Sequence, residues 1–136
     1  MLVADEVTTR IFEIINASPI AAAITGKVYK DWRPANSTKE DIVVNTIVMS
    51  GSESVIQDAV CNVNIHVASL ATADGLMPNN ARFTDLISIV KPLLKESHGK
   101  DFIFWTEQTT KIKEQGQEHW YLNFRLRLKQ HNTINN

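Results

Sequence analysis

From His119 to Leu128 the chain alternates strictly. Trp120, Leu122, Phe124, Leu126 and Leu128 are separated by Tyr121, Asn123, Arg125 and Arg127. A period of two predicts a long strand with one face on a core and the other toward solvent or a partner. Asp58 to Ala68 repeats the pattern: Cys61, Val63, Ile65 and Val67 point one way, and Asn62, Asn64 and His66 the other. Between them, Phe83, Leu86, Ile87, Val90, Leu93 and Leu94 form one helical stripe. Asn79 or Asn80 caps its start, His98-Gly99 ends it, and Pro92 is expected to kink it near Ser88.

The remaining elements are shorter. Val7, Ile11, Ile14 and Ile15 predict a first helix, with Asp5 and Glu6 at its start and Ser18-Pro19 as its stop. Ile20 to Ile24 reads as an apolar turn closed by Gly26. Lys27 to Trp32 reads as a strand and Ala35 to Asp41 as an exposed loop. Ile42 to Met49 is a β-branched strand, with Ile42, Val44, Thr46 and Val48 on one face. Ser50 to Ser54 forms a hairpin tip and Ser69 to Asn80 a polar loop. Phe102 to Thr106 is a short aromatic strand. Thr109 to Lys113 pairs with the last strand through Glu114-Gln115-Gly116. This order predicts an α+β fold, a two-layer sandwich of a mainly antiparallel sheet with two helices packed on one face. Residues 1–130 form a single domain and residues 131–136 a flexible tail.

Composition narrows the function. At 136 residues the chain supports one core. A formal net charge of −1 gives no pull toward nucleic acid or an anionic membrane. No apolar run approaches the roughly 20 residues of a membrane span. The beginning of the chain lacks the basic and apolar regions of a secretory signal, and a single cysteine, Cys61, fits a reducing compartment.

Candidate chemistry is sparse. Cys61 lies on the apolar side of its strand, where a thiol packs as a small hydrophobe. His66, His98, His119 and His131 fall at no metal-ligand spacing, so no metal is expected. The five glycines stand alone in turns and form no phosphate cradle. Glu40-Asp41 and Asp5-Glu6 are explained by solvation or capping, and Trp32 and Trp105 by the core. Neither a cofactor nor a catalytic residue is expected. Tyr121, Asn123, Arg125 and Arg127 are the candidate interface residues, because arginine and tyrosine are enriched where proteins meet. A solvated strand face carrying Arg and Lys accounts for them equally well.

The motifs, taken in order, resemble a known group. A helix leads into Ile24-Thr25-Gly26-Lys27-Val28-Tyr29, followed by a proline and a polar loop. Then come Ile42 to Ile47, Val60 to Val67, a helix starting near Asn80-Ala81-Arg82, and a closing hairpin ending in Glu118 to Arg127. This resembles the small tail-completion proteins of tailed phages and prophages, tail terminators or head–tail connectors, over roughly residues 5–129. One departure is Asp41-Ile42-Val43-Val44, which lacks the proline found in many members. The resemblance implies a non-enzymatic structural protein that forms a ring, commonly hexameric, at the head-proximal end of the tail tube. Its partners would be further copies of itself and tail-tube and neck proteins. It would assemble in the bacterial cytoplasm and reside in the virion tail or neck. The alternative is a monomeric ligand-binding or enzymatic domain, with Tyr29, Asn45, Asn62 and His66 around a pocket between helices and sheet.

Overall fold

The two strongest alternating segments pair with each other along their whole length, and the sheet grows outward from that pair. This computed structural model describes residues 2–51, 55–114 and 119–131, without the side chain of His98. The elements are α1 (Ala4–Asn16), α2 (Pro19–Ala23), β1 (Val28–Lys30), β2 (Asp41–Ser50), β3 (Ile56–Ala68), β4 (Leu70–Thr72), β5 (Gly75–Met77), α3 (Asn80–Lys95), β6 (Glu96–His98), β7 (Phe102–Lys113) and β8 (His119–His131). Six strands form one sheet in the order β1-β2-β3-β8-β7-β6. Every pairing in it is antiparallel except β1 with β2, so the fold is α+β with a mostly antiparallel sheet.

Register decides which residues share a face. In β3 and β8, Cys61 lies opposite Leu126, Val63 opposite Phe124 and Ile65 opposite Leu122. Ile42 and Val44 of β2 continue the same rows through Ile65 and Val63. Val7, Ile11 and Ile15 of α1 and Phe83, Leu86, Val90 and Leu94 of α3 join these strand residues in one buried cluster. Burial of such aliphatic side chains contributes roughly 1.5–3 kcal/mol each before entropy is counted. Asn79 caps α3 by accepting from the Arg82 backbone N–H at 3.2 Å. Glu6 likewise accepts from the Val3 N–H at the start of α1 (3.2 Å).

Several sequence expectations need correction. Ile20 to Ile24 contains the short helix α2, started by Pro19 in its first turn. The strand expected over Lys27 to Trp32 is only Val28–Lys30, because Asp31 takes a left-handed φ of 69° and turns the chain away. Val48 leaves the face of Ile42 and Val44: a bulge between Thr46 and Val48 sets it opposite Val60 instead. The Ser69 to Asn80 loop holds the β4–β5 hairpin, turned at Gly75 (φ 120°). Helix α3 runs through Pro92 but ends at Lys95, where Glu96 becomes extended and starts β6. Phe102 to Lys113 is one strand rather than two, with a bulge between Thr106 and Gln108. His131 belongs to β8. The expected tail beyond it, the tip of the β2–β3 hairpin at 52–54 and the turn at 115–118 lie outside the described residues.

The sheet edges are incompletely paired. β1 covers β2 only from Ile42 to Val44, and β6 covers β7 only from Ile103 to Trp105. Asn45 to Ser50 on one side and Thr106 to Lys113 on the other therefore present strand edges without a described neighbour.

Candidate functional site

The four candidate residues on β8 sit on the sheet face opposite Leu122, Phe124, Leu126 and Leu128, and all four are half-buried rather than fully exposed. Asn123 Nδ2 donates to Asn62 Oδ1 (3.0 Å) and Asn64 Oδ1 (2.7 Å), closing a polar rung across β3 and β8. Arg127 meets the Glu107 carboxylate through Nε and Nη2, both at 3.2 Å. The Tyr121 ring lies 4.9 Å from the His66 ring. Arg125 is the least committed, since its Nε is buried without a hydrogen-bond partner. Beside them, Lys129 pairs with Asp58 at 3.3 Å.

At one end of this face the fold assembles a group that spacing along the chain conceals. His66 of β3 and His119 of β8 lie on neighbouring strands, because Ala68 pairs with His119 and His66 with Tyr121. Their ring centroids are 5.1 Å apart. Glu114, just past the end of β7, brings its Oε2 into direct contact with His119 Nε2 and to 3.5 Å from His66 Nδ1. Both histidines are buried, and the Glu114 side chain is 39% exposed. Burial, with the nearby Arg33 and His119, pushes the His66 imidazole down to about 3, so it is neutral at physiological pH.

Arg33 forms the other wall. Its Nη1 is 3.1 Å from His119 Nε2, and its Nη2 pairs with buried Asp41 at 3.0 Å. Nη2 also donates to the carbonyls of Ser37 (3.0 Å) and Lys39 (3.2 Å). Asp41 in turn accepts from Ser37 Oγ (2.7 Å) and the Lys27 backbone N–H (3.1 Å). The chain from Asp31 to Asp41 is thus tied down beside the histidines. Between them opens a pocket of about 330 Å³ whose lining includes Trp32, Arg33, Asn45, His66, Glu114 and Tyr121.

Asn45 and His66 share the pocket. Asn62 is engaged by Asn123, and Tyr29 reaches the pocket only through its ring contact with Trp32 (6.5 Å). Trp32 is 66% exposed and belongs to the pocket rim, not the core. A second pocket, of about 320 Å³, does lie between helix and sheet, yet its lining of Ile87, Lys91, Lys95, Thr106, Thr109, Leu122 and Phe124 contains none of the four polar residues expected there. Cys61 is fully buried and its thiol is pushed up to about 12 by burial, which suits packing and not nucleophilic attack. Glu114 and Arg33 had no distinguishing signal in the sequence. The β3–β8 register sets the two histidines side by side, and Glu114, past the end of β7, and Arg33, in the loop before β2, reach them from outside that pair.

A comparison of the chain with protein-family models and with curated protein sequences finds no match.

Proposed function

We propose that the protein is a structural subunit that joins further copies head-to-tail into a closed ring. One observation carries this reading. Among the described residues nine large apolar side chains are exposed; Ile47 and Val48 lie on the part of β2 that β1 leaves unpaired, and Val55 and Ile56 lie at the start of β3, toward the same end of the hairpin. An apolar strand edge open to water is a template for pairing with another chain. The opposite edge, Gln108 to Lys113 of β7, also lacks a neighbour among the described residues and carries Lys111 and Lys113. Two different edges that pair make a heterologous contact, and such a contact generates a ring when its rotation closes.

On this reading α1 and α3 form one layer and the sheet the other, a two-layer sandwich with both helices on one face. The face bearing Tyr121, Asn123, Arg125 and Arg127 then borders neighbouring subunits. The resemblance to tail-completion proteins supplies the biological setting: a ring, commonly hexameric, that caps or joins the head-proximal end of a phage or prophage tail tube and contacts tube and neck proteins. Assembly would take place in the bacterial cytoplasm, and no enzymatic step is involved.

Disulfide trapping tests the contact. Ile47→Cys and Gln108→Cys in one chain should give, on oxidation, a ladder of covalent oligomers ending at the ring. Each single variant should stay uncrosslinked, since the contact joins unlike edges. No ladder from the double variant, with Cys61 remaining buried and inert, would count against the contact. A second reading, a ligand-binding or enzymatic domain, is favoured by the pocket that holds Asn45 and His66 together with Glu114 and Arg33. A strict monomer would favour it.

A further inference from the structure

The geometry points to a divalent-metal site of the zinc class formed by His66 Nδ1, His119 Nε2 and Glu114 Oε2. The three ligand atoms lie within 4.8 Å of one another, with His66 Nδ1 and Glu114 Oε2 at 3.5 Å. Ligand atoms about 2.1 Å from a tetrahedral zinc are roughly 3.4 Å apart, a spacing inside the range these three atoms already span. Two imidazoles and one carboxylate are a donor set that zinc accepts while keeping a fourth position open.

A second observation singles out the site. His66 is only 5% exposed, and its Nδ1 is buried without a hydrogen-bond partner. A buried polar nitrogen left unpaired costs about 1–3 kcal/mol, and coordination satisfies it. The two histidines are fixed on paired strands, so little ordering remains to be done on binding. Among the described residues Arg33 is the one cation against the cluster, and binding requires it to give up its contact with His119. Its charge is balanced by Asp41, and it keeps its bonds to Asp41, Ser37 and Lys39. That leaves Glu114, with Asp31 on the pocket wall, to favour a cation. Two of the three ligands, His66 and Glu114, line the 330 Å³ pocket, from which water or a small oxygen ligand completes the coordination. This inference does not depend on ring assembly.

The test uses the full chain without an affinity tag, Zn²⁺ as the titrant and a chromophoric chelator as competitor. One equivalent of Zn²⁺ should bind per chain. Co²⁺ should give the visible absorption of a four-coordinate site. His66→Gln, His119→Gln and Glu114→Ala should each weaken binding at least about tenfold, while His98→Gln and His131→Gln leave it unchanged. Circular dichroism accompanies each variant. If the buried histidine variants fail to fold, Glu114→Ala, altered at a half-exposed side chain, decides alone. Absence of stoichiometric binding, or binding unchanged in Glu114→Ala, overturns the site.

Discussion

Arg82→Ala should destabilise the protein far more than an ordinary surface substitution. Arg82 Nε donates to Glu40 Oε2 (2.5 Å) and Nη2 to Glu40 Oε1 (2.8 Å), and Nη2 also reaches the Ala23 carbonyl at 2.7 Å. One side chain thereby ties the first turn of α3 to the end of α2 and to the residue before β2. Glu40 is only 8% exposed, and without Arg82 its carboxylate keeps just the Thr25 N–H as a charge-assisted donor (3.1 Å). Breaking a fully buried pair costs about 3–5 kcal/mol. The Arg82 side chain is 31% exposed, so water recovers part of that loss and about 2–3 kcal/mol remains. Urea unfolding followed by tryptophan fluorescence measures it. Arg82→Lys should recover only part, because an ammonium cannot supply the two-point fork. Adding Glu40→Gln to Arg82→Ala should cost less than the sum of the single changes, since no unpaired charge is then buried. A loss below about 0.5 kcal/mol for Arg82→Ala, the range of ordinary surface changes, would refute the clamp.

Gly26→Ala should cost about 2 kcal/mol or more by thermal unfolding. A Cβ there would collide with the Asp41 carboxylate and come within 2.5 Å of the Glu40 carbonyl oxygen, and that backbone cannot withdraw cheaply. Cys61 should resist aromatic disulfide reagents in the folded protein and react only on unfolding. With its thiol raised from 9.0 to about 12, only the unfolded chain ionises in that window, so stability falls as pH rises. Compared with Cys61→Ala, the folded protein should lose about 2 kcal/mol more between pH 8 and pH 10.5; equal losses would contradict the shift. Arg125→Glu with Arg127→Glu should weaken assembly while circular dichroism stays native, and an unchanged oligomer mass would remove those arginines from the interface.

Three long elements, β3, β8 and α3, were legible because periodicity determines them, whereas β7 reads as two strands across its bulge. The rows Cys61-Val63-Ile65 and Leu122-Phe124-Leu126 announce strands with one apolar face, and the Phe83 to Leu94 stripe announces α3. Local backbone events were not. Bulges at Ile47 and Glu107 and the left-handed Asp31 depend on how neighbouring strands fit, and they rearrange faces that simple alternation predicts to continue. The candidate metal cluster was invisible for a related reason. His66 and His119 are diagonal neighbours across two strands, and Glu114 reaches them from the end of a third. Strand register, not spacing in the chain, creates that group. The β8 residues Tyr121, Asn123, Arg125 and Arg127 were legible as one face, yet their bonds to Glu107, Asn62 and Asn64 required the pairing partners.

Light scattering coupled to size exclusion, on the untagged chain across a wide range of concentrations, tests the central claim of ring assembly most directly. A closed ring would appear as a discrete species at a small integer multiple of the 15.3 kDa chain mass, near six, that does not grow further with concentration. A monomer at every concentration, or open-ended growth without a preferred size, would contradict it.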